Sequence, residues 1–215
     1  MFNRRLLRLG AALTAGLAAS AALALPASAH ARHAAPTGTS SLAALLAADG
    51  SGFDRNWNDY DILDNAVTAV LTADPSSPVA VLADGTTALT AFLPTDRAFR
   101  RLAHDLTGTW YASESDVFAA LAGKLGVPTI ESVLLYHVVP GATITYRQAL
   151  RSDGATLATA LSGATVKVQV RYCIFVSLED ADPDARNAYV VAPNLNQGNV
   201  QIGHGINRVL RPVDL

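Results

Sequence analysis

The chain has 215 residues, half of them hydrophobic, and a formal net charge of −2, which suits one domain with a proper hydrophobic core and argues against a nucleic-acid role. Its one cysteine, Cys173, excludes an intrachain disulfide, so stability must come from packing.

The first residues carry Arg4, Arg5 and Arg8, then an apolar run from Leu9 to Leu25, a helix-breaking Pro26 and the small-x-small triplet Ala27-Ser28-Ala29. This is the pattern of a secretory signal peptide over residues 1–29, cleaved after Ala29. A membrane anchor would need a longer run, richer in Leu than in Ala and Gly. Asn3-Arg4-Arg5-Leu6-Leu7 hints at twin-arginine export, although an ordinary basic start is the simpler reading. Removing residues 1–29 leaves 186 residues with 13 basic and 18 acidic side chains, a formal charge of −5. No cysteine follows the cleavage point, and Val209 to Leu215 form no long apolar tail, so a secreted, extracellular protein with no membrane anchor is expected. Fourteen arginines against two lysines, with abundant alanine, hint at a high-GC bacterial source.

Residues 30–52 read as a flexible lead before a domain over 53–215, because His30 to Ser40 has no hydrophobic period. His30 and His33 could in principle hold a metal, but no further ligand stands near them. Asp59 to Leu71 places Ile62, Leu63, Ala66, Val67, Val70 and Leu71 on one helical stripe with Asp61, Asp64 and Thr68 outside it. Thr87 to Leu93 reads as a strand ended by Pro94; Thr95 then stands at the N-cap of a helix, with Asp96 in its first turn and Phe99 at the staple position. Ser113-x-x-Asp116 resembles a capping box before Val117, Phe118, Leu121 and Leu125, and Gly126 can stop that helix. A further helix through Ile130 to Leu135 runs into a short strand at His137 to Pro140.

From Thr165, Val166, Val168, Val170, Tyr172, Ile174, Val176 and Leu178 share one face of an extended strand or hairpin. Cys173 and Phe175 on the other face suggest that its later half is covered on both sides, which would leave the thiol inert. Ala188 to Ala192 and Val200 to Leu210 read as two more strands around a polar turn. Helices cluster first and strands later, which argues an α+β fold.

Three segments stand out: Thr90-Ala91-Phe92-Leu93-Pro94-Thr95-Asp96-Arg97-Ala98-Phe99; Tyr136-His137 with Val138-Val139-Pro140-Gly141; and the closing stretch from Ile202 through His204, Ile206 and Asn207 to Pro212. In this order and spacing they resemble the fasciclin domain family over about residues 53–215. The resemblance implies an α+β domain in which a fasciclin-like β-sandwich or wedge is flanked by several helices. It also implies a role in adhesion or matrix contact. Asn207 stands where the family often has Asp, and Gln201 and Gly203 replace its usual Gly and apolar residue. Asn194-Leu195 aligns with the Asp-Ile pair of animal adhesion members; the carboxylate is missing, so neither a metal-bridged receptor contact nor an integrin partner is expected.

The candidate binding residues are Tyr136, His137, Asp96, Asn194 and Leu195. Tyr136, His137 and Asp96 can equally support the fold by satisfying buried backbone groups or a helix terminus. His204, between Gly203 and Gly205, marks a close approach of backbone, to another strand rather than a ligand. Asp180, Asp182 and Asp184 alternate as in half of a calcium loop, but Ala185 and Val191 stand where that loop needs Gly and Glu, which excludes an EF-hand and makes a solvated acidic hairpin tip a simpler reading than a looser calcium site. No G-x-S-x-G, H-E-x-x-H or phosphate-loop motif occurs, so neither an enzyme nor a cofactor or metal is expected. The expected function is a secreted, non-catalytic adhesion or interaction module for an extracellular protein or polysaccharide at a cell surface or matrix. The alternative is an extracellular carrier of a small apolar ligand held between sheet and helices. Oligomeric state is left open.

Overall fold

The computed structural model describes residues 37–215 except 49 and 51, so the signal-peptide reading and the His30–His33 pair lie outside the described residues. The lead expected over 30–52 differs from the structure at residues 38–47, which are packed onto the domain. Gly38 bridges Asn199 in parallel, Ser41 accepts from Ala44 N–H to cap α1 (Leu42–Ala47), and Leu42 is fully buried. Gln201 fastens this helix: its Oε1 accepts from Leu42 N–H at 2.8 Å, and its amide donates to the carbonyls of Val81 and Asp84, each at 2.8 Å.

Helix α2 (Asp61–Ala73) buries Ile62, Leu63, Ala66, Val67 and Val70 of the expected stripe and half-buries Leu71, but Asp61 and Asp64, expected outside it, are buried too, because the first turn of the helix is covered by its neighbours. A 3₁₀ turn (Pro78–Ala83) leads to strand β1 (Leu89–Pro94), followed by α3 (Asp96–Thr107), α4 (Glu114–Leu125) and α5 (Val127–Tyr136). Thr95 is the N-cap residue of α3, although its hydroxyl makes no capping bond; Ser113 does cap α4, accepting from Asp116 N–H. Gly126 sits at φ 73°, a left-handed value that suits glycine, and there the chain turns by 104° from α4 into α5.

The remaining elements are β2 (Val138–Pro140), α6 (Tyr146–Ala149), β3 (Thr156–Ala158), β4 (Thr165–Arg171), β5 (Phe175–Glu179), β6 (Ala188–Leu195) and β7 (Gln201–Ile206). The strands form one sheet in the order β2-β1-β7-β6-β5-β4-β3. Among the described strands β1 and β7 pair in parallel and the other neighbours are antiparallel. The sheet bends until its ends meet, where Ala160 N–H, just past β3, donates to the Val138 carbonyl at 2.7 Å. The result is the α+β wedge flanked by helices.

Strand β1 belongs to two cores at once. Leu89, Ala91 and Leu93 pack against the helices, whereas Phe92 packs inside the wedge with Val166, Val168, Val176 and Leu178. Every residue of β1 and β7 is buried, as a parallel pair covered on both faces requires. A Cβ at Gly203 would come within 2.7 Å of Leu93 Cδ1, and one at Gly205 would clash with the Tyr60 hydroxyl. The glycines around His204 therefore serve close packing.

The alternation from Thr165 to Leu178 is a hairpin of β4 and β5, with a turn at Tyr172 (φ 54°) and Cys173 (φ 61°). Cys173 and Phe175, expected to be covered, are exposed. A period of two runs unbroken through the turn, so it does not mark where the chain reverses or leaves the core. The acidic stretch is not a solvated tip either. Asp182 is buried, its Oδ1 accepts from the N–H groups of Asp184 and Ala185, and its Oδ2 lies 3.2 Å from Arg211 Nη1. Asp180 Oδ2 accepts from Arg211 N–H at 2.9 Å.

Candidate functional site

Of the five candidate binding residues, Tyr136, His137 and Asp96 are buried, and Asn194 and Leu195 are half-buried. Tyr136 donates its hydroxyl to the Thr165 carbonyl at 2.8 Å. His137 Nδ1 lies 2.6 Å from the Val133 carbonyl, and its Nε2 accepts from Leu210 N–H at 2.9 Å. Asn194, in left-handed backbone at φ 59°, accepts from Tyr146 N–H through Oδ1 and so orients the start of α6. Leu195 packs on the helical core. These contacts point inward, and the structure does not gather the five side chains into an exposed site.

The outward apolar surface lies elsewhere. At the β4–β5 tip Tyr172 is 88% exposed, Ile174 59% and Phe175 48%; on β6, Tyr189 is 40% exposed and Val191 54%. Exposed Phe175 and half-buried Glu179 lie on one face of β5 with Ser177 buried between them, and the pairing of Ser177 with Tyr189 continues that face onto β6 through Tyr189 and Val191. Cys173, between Tyr172 and Ile174 in the turn, is exposed. The tip is braced: Tyr146 donates its hydroxyl to the Ile174 carbonyl at 2.8 Å, and Asp153 Oδ1 accepts from Val170 N–H at 2.7 Å. Sequence reasoning missed this surface because it assigned Cys173 and Phe175 to a covered strand. The signal available was a run of aromatic and β-branched residues with no glycine or asparagine to suggest a turn.

A second grouping was not legible at all. Asp59 precedes α2, Asp96 opens α3 and Glu114 opens α4, and one carboxylate oxygen from each lies within 4.8 Å of the others. All three residues are buried. Asp96 Oδ1 accepts from Ile62 N–H at 3.0 Å and Glu114 Oε2 from Asp54 N–H at 2.7 Å, but among the described residues Asp59 Oδ1, Asp96 Oδ2 and Glu114 Oε1 meet no donor, and the Asp59 and Asp96 carboxyls can bond to each other only by sharing a proton. Burial, contact with the Asp59 carboxyl and repulsion from Asp59 and Glu114 hold Asp96 far above the ordinary carboxylate range, with the Ile62 N–H opposing. Burial raises Glu114 as well, opposed by the Asp54 N–H.

The fasciclin-domain family model matches residues 64–212. The chain belongs to the fasciclin-domain family. Among solved structures it is similar to a FAS1 domain pair from the insect cell adhesion molecule Fasciclin I, with 16% identity and a TM-score of 0.50 over 71% of this chain and 48% of that one. The chain thus spans about half the length of that structure, and the likeness bears on the fold alone. No curated protein matches the sequence. Fasciclin domains act in general as adhesion and interaction modules without enzymatic activity, and typically occur in extracellular or secreted proteins.

Within the fasciclin domain the departures from the family pattern have local causes. Gln201 is the residue that fastens α1, a task glycine could not perform. Asn207 Oδ1 accepts from Tyr189 N–H at 2.8 Å while its carbonyl accepts from Arg101 Nη1, so an uncharged acceptor suffices there. His204 is buried between Ile144, whose carbonyl lies 2.8 Å from its Nε2, and Asn194, whose N–H donates to its Nδ1 at 3.2 Å.

Proposed function

We propose that this fasciclin domain is a secreted, non-catalytic contact module that meets a protein or polysaccharide of a cell surface or extracellular matrix through the outer face of β4, β5 and β6. The exposed strip of Tyr172, Ile174, Phe175, Tyr189 and Val191 carries the reading. Aromatic side chains offer large, rigid contact area at small entropic cost, and apolar groups left in water on a braced hairpin are favourable only to a partner that covers them. The carrier alternative would need a cavity of several hundred Å³. The apolar gaps lined by Phe92, Tyr146 and Leu178 and by Ile62, Phe99 and Leu121 have volumes of about 20 and 30 Å³, room for about one or two waters each, which favours the surface over the interior.

The test is capture of envelope and matrix components of the producing cell by the immobilised wild-type domain and by a Tyr172→Ser/Ile174→Ser double variant. Both side chains lie in solvent, so the variant should keep the wild-type melting temperature to within about 2 °C. Retention should fall at least about tenfold, as expected when hot-spot aromatic and aliphatic contacts are removed. Equal retention by the two proteins rules out this surface. A stoichiometric mass excess in native mass spectrometry of the purified protein would instead favour the carrier.

A further inference from the structure

We propose that Asp59, Asp96 and Glu114 bind a divalent cation of the calcium class, which clamps the entry of α2 to the N-termini of α3 and α4. One carboxylate oxygen from each of the three buried residues comes within 4.8 Å of the others, and Asp59 Oδ1, Asp96 Oδ2 and Glu114 Oε1 meet no N–H or O–H donor among the described residues. Three oxygens no more than 4.8 Å apart all lie within about 2.8 Å of a common point, a few tenths of an ångström beyond the calcium–oxygen distance of about 2.4 Å, so adjustment of the side chains alone brings them onto one ion. The remaining oxygens of Asp96 and Glu114 are occupied by backbone N–H groups, which fixes the orientation of the free ones. Asp96 N–H also donates to the Asp59 carbonyl at 3.1 Å, so two of the ligands are held together before any ion arrives.

Charge and donor chemistry select the ion. Three carboxylates bring three negative charges, and the N-termini of α3 and α4 return about half a positive charge each, leaving about two to neutralise. The charges acting on Asp96 are those of Asp59 and Glu114, both of its own sign. Oxygen-only donors suit hard cations, whereas zinc and copper favour imidazole and thiolate, which this group lacks. Magnesium retains several waters, a poor match for side chains buried this deeply. The exposed Asp54 belongs to an adjoining carboxylate group with Asp59 and Asp61, and its N–H holds Glu114. The site is remote in sequence from the β4–β6 face, and the proposal does not depend on that face.

The experiment strips the full chain with EDTA, then titrates it with calcium chloride while melting temperature and bound metal are measured; terbium serves as a luminescent probe, sensitised by Trp57 two residues from Asp59. One equivalent of calcium is expected to bind, with a rise in melting temperature of about 5–10 °C at free calcium about 100 times its Kd. Glu114→Gln, which preserves shape and removes one ligand charge, should lose both responses and the terbium signal. If the wild-type chain binds no metal and its melting temperature ignores calcium, the site does not exist, whatever the variant does. A calcium response that survives in Glu114→Gln also overturns it. So does a Glu114→Gln protein that is more stable than wild type with no calcium effect in either, the signature of carboxyls held together by protons.

Discussion

His137 makes two bonds that only a neutral ring can make together: Nδ1–H donates to the Val133 carbonyl and Nε2 accepts from Leu210 N–H. Burial pushes its pKa down to about 4, against the opposing pull of the Val133 carbonyl. In the unfolded chain a histidine titrates near about 6.5, so between these values the unfolded state binds a proton that the folded state refuses. This part of the stability is full above about pH 6.5 and is lost as pH falls towards 4, about 3 kcal/mol in all. His204, lowered by burial and bonded in the opposite tautomer, acts with the same sign. In His137→Gln, urea denaturation should give about 1–2 kcal/mol less stability at pH 7 and a shallower loss from pH 6.5 to 4 than in wild type. Parallel pH profiles for the two proteins would exclude a refused proton at this ring.

Helix α1 shows where element-scale reading of the sequence succeeds and fails. The stripe of α2, the Ser113 cap and the Gly126 stop were legible because each is a local pattern with a local cause. Helix α1 was not, because its six residues are too few to form a helix alone and depend on contacts some 159 positions away, from Gln201 to Leu42 and from Asn199 to Ser40. The hairpin tip was lost for the complementary reason: nothing in the alternation distinguishes a side chain inside the wedge from one beyond its edge. The Asp59, Asp96 and Glu114 group is legible only after folding, since each residue taken singly reads as an acid near a helix start. Leu42 provides the check on α1. Leu42→Ala should lower the unfolding free energy by about 2–4 kcal/mol, the loss expected for a fully buried leucine, measured by denaturant titration. A change below about 0.5 kcal/mol would return this segment to the status of a lead.

At the scale of the molecule, the two hydrophobic cores are joined by the strands they share. The helical core takes Leu89, Ala91 and Leu93 from one face of β1, and the wedge core takes Phe92 from the other. Strand β7 repeats the arrangement: a Cβ at Gly203 would meet Leu42 and Leu93 of the helical core, while Ile206 belongs to the wedge. Neither core can lose its wall without exposing the other, so the described domain should unfold in one transition. Val117 lies in the helical core and Val176 in the wedge, both fully buried, and Val117→Ala and Val176→Ala should each cost about 2 kcal/mol. Calorimetry should show each variant shifting the whole transition by about 4–8 °C, and circular dichroism of helix and near-ultraviolet signals from tyrosine and tryptophan should move together. If Val176→Ala split the melt, with the wedge signal lost while the helical signal stayed at the wild-type temperature, the shared strands would be a seam between two units rather than the common wall of one.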